Sequence, residues 1–186
     1  MKRLLLLLLI GVVLSGCASD ASGMNDVITL RNNLQNGKGC SFDVSVTTDY
    51  GDSLSTFALS CNFDEQQNVD ITVIHPETIS GIKCRISGDK GKLTFDEKVL
   101  AFEMIADGQL TPISAPWLVV KALNSAYINA IAKEKEGMLV RLDDSVNGIL
   151  YSVDLWLDGN NMPRLAEIVF DGKRIVSMSI TNFKIL

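Results

Sequence analysis

The spacing of hydrophobic residues changes near Gly37. Before this point, apolar residues recur every three or four positions, which predicts an amphipathic helix over 25–35. After it, apolar and polar residues alternate in short segments separated by turn-forming residues, as is typical of strands. Six strands are predicted in this part of the chain, at 40–48, 54–62, 69–74, 81–87, 92–95 and 99–104.

A second helix is predicted to begin at Ala115 and to continue to about Ala132. Pro116 falls in its first turn, where the missing amide hydrogen costs nothing. The segment is apolar on almost all sides, which indicates a helix buried against a sheet rather than a surface or membrane-inserting helix. Four more strands are predicted after it, at 138–142, 148–157, 164–170 and 174–183, joined by turns such as Asp171-Gly172.

About ten short strands joined by hairpin-like links predict an antiparallel meander and not alternating strand and helix units. The predicted fold class is therefore α+β, mainly antiparallel β, in the form of an unclosed half β-barrel. The two helices would be wrapped by this sheet or would cap it. The length of 186 residues fits one such domain, which we place at 25–186.

The first residues have the features of a signal peptide. Lys2 and Arg3 precede an apolar run of eleven residues at 4–14, whereas a membrane-spanning helix needs about 20. The run ends in Leu14-Ser15-Gly16-Cys17, which resembles the bacterial lipobox. This resemblance implies a lipoprotein signal peptide at 1–16, a diacylglyceryl thioether on Cys17 and a lipidated tether over 17–24. The alternative is an ordinary secretory signal followed by an unmodified Cys17.

The charge balance argues against nucleic acid as a partner. Seventeen Lys and Arg stand against 22 Asp and Glu, a formal net charge of −5, and the basic residues form no stripe that could neutralise phosphates. Removal of 1–16 would take away Lys2 and Arg3 and leave a more acidic domain. Because anionic headgroups do not attract an acidic surface, membrane attachment in the bacterial cell envelope would rest on the acyl chains at Cys17.

Lipidation of Cys17 would leave three cysteines, Cys40, Cys61 and Cys84. Folding the first two strands about Tyr50-Gly51 places Cys40 opposite Cys61 and gathers the apolar residues on one face. A Cys40–Cys61 disulfide would suit an oxidising compartment, and three buried reduced thiols are the alternative. The cysteine spacing and the single histidine give no indication of a metal site.

Few residues are candidates for catalysis. His75 precedes a proline in a predicted turn, and the carboxylates Asp143, Asp144, Asp154 and Asp158 lie at or near turns, where such side chains are usually solvated. The predicted mature chain has no glycine-rich phosphate loop and no Gly-x-Ser-x-Gly motif. We therefore expect a protein that is not an enzyme and that needs no cofactor.

Apolar residues on the inward-facing sides of the predicted strands and on the second helix form the candidate binding site. Most should belong to the core, and some would line an apolar cavity if the second helix covers the concave face without filling it. The candidates are Phe42, Val44, Phe57, Leu59, Ile71, Val73, Trp117, Leu118, Tyr151, Val153, Leu155, Val169 and Met178.

The order of these elements resembles that of the LolA/LolB superfamily of lipoprotein carriers, whose relatives include the envelope sensor RseB and mycobacterial lipid-binding lipoproteins. His75-Pro76-Glu77-Thr78-Ile79-Ser80-Gly81-Ile82 is similar to the entry to a strand in that group. Asn161-Met162-Pro163-Arg164-Leu165, followed by Phe170-Asp171-Gly172-Lys173, is similar to its C-terminal end. The resemblance spans about 25–186 and implies an unclosed barrel whose helices enclose an apolar cavity for acyl chains.

Two principal functions follow. The first is a membrane-anchored extracytoplasmic lipoprotein that binds a lipid or acyl chain without catalysis. The alternative is an envelope sensor or protein-interaction module of the same fold, in which the protein's own side chains fill the cavity and another envelope protein is the partner. A hydrolase is a third, weaker hypothesis.

Overall fold

The computed structural model describes residues 21–49, 54–88, 90–95, 98–103, 105–106 and 109–186. The predicted signal peptide at 1–16, the lipid attachment at Cys17 and the tether up to residue 20 lie outside the described residues. The sequence-based predictions for these segments therefore stay predictions.

Two α-helices and thirteen strands make up the described chain. The helices are α1 (Ala21–Asn36) and α2 (Ala115–Ser125), and 3-10 turns lie at Glu77–Ile79 and Pro112–Ser114. The strands of the first half are β1 (Gly39–Asp49), β2 (Leu54–Asp64), β3 (Val69–His75), β4 (Lys83–Ser87), β5 (Lys90–Phe95) and β6 (Lys98–Glu103). Those of the second half are β7 (Ile105–Ala106), β8 (Gln109–Leu110), β9 (Tyr127–Glu134), β10 (Gly137–Val146), β11 (Ile149–Leu157), β12 (Pro163–Phe170) and β13 (Lys173–Ile185).

Eleven strands form one antiparallel sheet in the order β6-β5-β4-β3-β2-β1-β13-β12-β11-β10-β9, and β7 and β8 pair separately. The sheet consists of two meanders, β1 to β6 and β9 to β13, which β1 and β13 join side by side. Because β6 and β9 are the two edges, the sheet is open. The predicted α+β half-barrel is thus confirmed, with eleven strands in the sheet instead of about ten.

The prediction that the second helix continues to Ala132 is wrong. The helix ends at Ser125, the next residue is extended, and β9 pairs with β10. A bulge in this pairing explains the error. Ile131 lies opposite Val140, and Ile128 lies opposite Leu142 after a register shift. The extra residue puts two isoleucines three positions apart on the same face of a strand, a spacing that imitates the period of a helix.

The predicted register of β1 and β2 is also wrong, by two residues. Cys40 lies opposite Phe63 and Phe42 lies opposite Cys61, because Asp49 pairs with Leu54 and the connection is longer than a turn centred on Tyr50-Gly51. Since side chains alternate with a period of two, this shift leaves the apolar residues on the predicted face. It changes which residues are neighbours without changing which are inside.

Candidate functional site

The concave face of the sheet brings together most of the apolar residues singled out in the sequence. One continuous row across five strands contains Val46, Met178, Ala166, Leu155 and Val140, each opposite the next. The candidates that lie in the buried core are Phe42, Val44, Leu59, Ile71, Val73, Trp117, Leu118, Tyr151, Val153, Leu155 and Met178. Their position on one face follows from strand alternation.

Two candidates lie elsewhere. Phe57 is partly buried and packs against the core. Val169 does not belong to the core; it lines a surface cleft with Asp143, Tyr151 and Asp171. Ile168 is buried on the concave face, and Val169 is the next residue of β12, so strand alternation places Val169 on the other face of the sheet.

The helices fill the concave face. Nine of the eleven residues of α2 are buried, and α1 adds Val27, Leu30 and Leu34 to the same core. Val153 and Leu155 are 0% exposed, Leu118 is 1% exposed and Trp117 is 6% exposed. Side chains that lined an empty space wide enough for an acyl chain would remain accessible. The inward-facing residues therefore contact one another instead of lining a cavity.

Polar contacts fix α2 against the sheet at both sides. Trp117 donates its indole Nε1–H to the carbonyl oxygen of Gln67 at 3.2 Å. On the other side, Lys121 Nζ lies 2.5 Å from a carboxylate oxygen of Asp144, to which the Tyr151 hydroxyl also donates at 3.1 Å. Burial, followed by the charge of Asp144 and the hydrogen bond to it, raises the pKa of Tyr151. This hydroxyl thus stays protonated and keeps donating.

Side chains of α1 cap the C-terminal end of α2. Arg31 donates from Nε to the carbonyl oxygen of Leu123 at 2.7 Å and from a terminal nitrogen to that of Ala126 at 2.9 Å. Gln35 Nε2 donates to the carbonyl oxygen of Asn124 at 2.8 Å. These bonds satisfy helix-end carbonyls that would otherwise lack partners. Burial lowers the pKa of Arg31.

The carboxylates that were candidates for catalysis form hydrogen bonds within strand pairs and turns. Asp154 accepts two hydrogen bonds from Arg141, both at 2.7 Å. Asp143 accepts from Asn129 and Ser152. The Oδ1 atom of Asp158 accepts from the backbone amides of Asn160 and Met162, which shapes the turn before β12.

His75, the sole histidine of the chain, is exposed at the end of β3. No cluster of three or more potential metal-ligating His, Cys, Asp or Glu residues occurs in the described parts of the chain.

The three cysteines of the sheet are buried free thiols, and the structure does not contain the proposed Cys40–Cys61 bridge. The corrected register explains this, because Cys40 faces Phe63 and not Cys61. Burial raises the pKa of Cys40 to about 12. Burial, followed by the charge of Asp70, raises the pKa of Cys84 to about 12.

The surface of the described chain has cavities of different sizes. One of about 710 Å³ is the cleft beside Val169. Another, of about 410 Å³, lies on the convex face next to Trp156 and Leu165. A small one, of about 90 Å³, lies between α1, α2 and the turn that joins β2 to β3. Among the described helices, none combines the length and apolar character needed to span a membrane.

Searches with the sequence find no matching protein family and no similar curated protein. Among solved structures, 68 chains match. A LolA superfamily protein from Nitrosomonas europaea has a TM-score of 0.49 at 9% identity, over 88% of this chain and 93% of that chain. A putative outer membrane lipoprotein-sorting protein domain from Vibrio parahaemolyticus has a TM-score of 0.47 at 11% identity, over 86% and 91%.

Lipoprotein LppX from Mycobacterium tuberculosis has a TM-score of 0.40 at 13% identity, over 89% of this chain and 96% of that chain. The chain is similar to LolA-superfamily proteins. The similarity is one of fold.

The sequence does not predict which residues form the hydrogen bonds between α1 and α2. Arg31 and Gln35 lie on the polar side of an amphipathic helix, and such side chains usually face solvent. Asn124 did offer a signal, because it is a polar residue in a helix that is otherwise almost entirely apolar. Its burial at 5% exposure marks the small cavity between the helices.

Proposed function

We propose that this protein is a non-catalytic lipoprotein of the bacterial envelope that acts through its surface, as a sensor or protein-interaction module. The observation that supports this function most directly is the packed concave face. Leu118 of α2 and Leu155 of β11 are at most 1% exposed, so the space that a carrier would offer to an acyl chain is taken by the protein's own side chains.

Attachment to the membrane is the second part of the proposal. Its support is the sequence, in which Lys2 and Arg3, a short apolar run and Leu14-Ser15-Gly16-Cys17 follow one another. Lipid on Cys17 would hold an acidic domain at the outer side of the membrane through its acyl chains. Cys17→Ala should abolish incorporation of radiolabelled palmitate and release the protein from membranes. Continued labelling would refute the assignment.

The hydrogen bonds that the acidic side chains accept support a non-catalytic role. Asp143, Asp144 and Asp154 each accept hydrogen bonds from neighbouring side chains. A general acid or base needs a group poised toward a substrate. These carboxylates instead stabilise turns and strand pairs.

Lipid binding and partner binding can be separated by experiment. The full chain is purified in a mild detergent, and its bound lipid is measured by mass spectrometry together with the binding of a fluorescent fatty acid. We expect neither bound lipid nor saturable fatty-acid binding. Stoichiometric lipid with an intact fold would contradict the proposal and restore the carrier function.

Photo-crosslinking in cells tests the positive side of the proposal. A photoreactive phenylalanine analogue replaces one exposed apolar residue at a time, at Leu100, Tyr127 or Leu150, which are 64%, 73% and 77% exposed. The same analogue at the partly buried Phe57 serves as the control. A discrete cross-linked protein from at least one exposed position, and none from the control, is expected. Its absence at all exposed positions would argue against a protein partner.

A further inference from the structure

A groove on the convex face of the sheet has a volume of about 410 Å³, within the roughly 300–1,000 Å³ that is typical of sites for small molecules. Four neighbouring strands, β11, β12, β13 and β1, form its floor. Three inter-strand spacings of about 4.8 Å give it a width of about 14 Å across the strands. We call it the convex groove. Its lining includes Trp156, Leu165, Ser45, Ser177 and Ser179.

The register of the sheet builds this groove from a row of side chains. Trp156 lies opposite Leu165, and Leu165 lies opposite Ser179. Ser179 in turn lies opposite Ser45. Trp156 and Leu165 are half-buried, whereas the two serines are exposed. The row therefore passes from two large apolar side chains to two small hydroxyl groups, so the groove has an apolar end and a polar end.

Trp156 presents carbon atoms to the convex groove. Its Nε1–H donates to a carboxylate oxygen of Glu134 at 2.8 Å, so the single polar atom of the indole is already bonded. The hydrogen bond also holds the ring in one orientation. The face of an aromatic ring carries partial negative charge and attracts groups with partial positive charge. The C–H groups on the face of a pyranose ring are of this kind.

The serine hydroxyls at the polar end are available to a ligand. Thr47 uses its hydroxyl in a contact of 3.2 Å with that of Thr56. No described residue forms a hydrogen bond with the hydroxyls of Ser45, Ser177 or Ser179. Each of these groups can both donate and accept. An acyl chain laid over them would displace their water without replacing its hydrogen bonds, which is unfavourable. A ligand that carries hydroxyl groups replaces them.

The charges around the groove disfavour an anionic ligand. Glu136 and Glu167 are among the described residues that line it, and no lysine, arginine or histidine is. Arg174 lies outside the lining and forms an ion pair with Glu167 at 2.8 Å. The arginine thus offsets the charge of one carboxylate and leaves the groove without a positive group for a phosphate or carboxylate. A neutral ligand fits this balance.

We infer that the convex groove binds a neutral oligosaccharide of pyranose rings. One ring packs its C–H face against Trp156 and Leu165, and the hydroxyl groups of the next ring form hydrogen bonds with Ser179 and Ser45. The width of four strands accommodates linked rings. The inference goes beyond the proposed function, because the groove would bind a sugar whether or not the protein has a protein partner.

Nuclear magnetic resonance of the full chain tests the inference. The protein is purified at pH 6 in a polyoxyethylene detergent, which has no sugar headgroup, and is titrated with cellotriose and with chitotriose. The chain has two tryptophans. The indole N–H of Trp156 should shift saturably with at least one trisaccharide. The indole N–H of Trp117, which donates to Gln67 on the other side of the sheet, should not shift and serves as the internal control.

Four variants assign the site. Trp156→Ala should weaken sugar binding at least tenfold, whereas Trp156→Tyr keeps an aromatic ring and should recover most of it. Ser179→Ala removes one hydroxyl and should weaken binding at least threefold. Phe170→Ala is the matched control, because Phe170 is a half-buried aromatic residue of β12 that does not line the groove. Binding by variants that lack Trp156 is followed through the ligand resonances. If Trp156→Ala fails to fold, Trp156→Tyr and Ser179→Ala still decide.

Absence of a saturable shift with 10 mM of either trisaccharide would overturn the inference. Undiminished binding by folded Trp156→Ala or by Ser179→Ala would do the same. Deacetylated chitotriose, which is positively charged at pH 6, should bind more weakly than chitotriose, and tighter binding would assign the groove to a cation instead. Sugar binding without any cross-linked protein would support the groove while contradicting the proposed protein partner. A cross-linked partner without sugar binding would do the reverse.

Discussion

At the scale of single residues, the three buried thiols should be chemically inert in the folded protein. Burial raises the pKa of Cys40 and, together with the charge of Asp70, that of Cys84 to about 12. Burial, followed by the charges of neighbouring groups, raises that of Cys61. An unfolded thiol ionises near pH 8.5, and the thiolate is the reactive form. Iodoacetamide at pH 8 should therefore modify these cysteines only after denaturation, as counted by mass spectrometry. Two unreactive cysteines in denatured, unreduced protein would instead reveal a disulfide.

The same thiols should make stability depend on pH in the alkaline range. Their pKa values are higher in the folded than in the unfolded chain, so the unfolded chain loses protons first as pH rises. The contribution of each thiol is intact below about pH 8.5 and is lost progressively toward pH 12. Urea unfolding should show a lower free energy of unfolding at pH 10 than at pH 8, with a smaller decrease in Cys84→Ala. An equal decrease in both proteins would contradict this prediction.

Gly39, at the start of β1, occupies a position that only glycine fits. Its φ is +122°, and an added Cβ would lie 1.9 Å from the carbonyl oxygen of Phe63. Backbone strain of this kind alone costs about 1–3 kcal/mol. Gly39→Ala should therefore lower the free energy of unfolding by at least that amount in urea titrations. Gly159→Ala is the control, because nothing lies within 4 Å of its added Cβ, and a comparable loss there would refute the steric explanation.

At the scale of secondary-structure elements, the contact between α1 and α2 depends on Arg31. Its guanidinium group donates to two carbonyl oxygens at the end of α2, and hydrogen bonds to charged groups each stabilise by about 1.5–3 kcal/mol. Arg31→Met should destabilise the protein by at least about 1.5 kcal/mol, and Arg31→Lys should recover part of the loss because an ammonium group can replace one donor.

Arg174→Met provides the matched control for Arg31. Arg174 also forms an ion pair, with Glu167, but its side chain is 60% exposed, and exposed pairs contribute at most about 1 kcal/mol. Chemical denaturation of the three variants gives the comparison. If Arg31→Met were no more destabilising than Arg174→Met, the bonds between the helices would not stabilise α2.

The sequence predicts the strands of the sheet well because each depends on local alternation. The sequence places every strand from β1 to β6 and from β10 to β13 close to its observed position, but it does not predict β9. The bulge at β9 and the register of β1 and β2 depend on pairing with another strand. Alternation within one segment does not reveal which residue of the neighbouring strand lies opposite. Bulges and strand register therefore cannot be predicted from the alternation of a single segment.

At the scale of the whole molecule, the half-barrel follows from the order of elements, whereas the contents of its concave face do not. Alternation identified Leu155 and Met178 as inward-facing, and both are buried. Whether α2 fills the concave face or only covers it depends on side-chain volumes and on the depth at which the helix sits. Arg31 and Trp117 fix that depth through hydrogen bonds to distant residues, which no local pattern encodes.

A packed concave face predicts that an apolar binding site must be created by mutation. Leu155 of β11 lies opposite Ala166 on the concave face and is 0% exposed. Leu155→Ala should lower the free energy of unfolding by about 2–5 kcal/mol, and the cavity left behind, being apolar and dry, should bind benzene or xenon. The wild-type protein should bind neither benzene nor xenon. Leu150→Ala, on the same strand but 77% exposed in the native protein, should change stability by no more than about 0.5 kcal/mol.

Urea titration and xenon-induced chemical shifts measure the two effects separately. Two results would mean that space remains between α2 and the sheet. One is equal xenon binding by the wild-type protein. The other is a loss of unfolding free energy in Leu155→Ala as small as that in Leu150→Ala. An apolar ligand could then enter without mutation, and the result would favour a carrier function over surface recognition. A large cost together with new binding would instead mean that Leu155 and its neighbours occupy this space, which leaves the outer surface as the place where a partner is recognised.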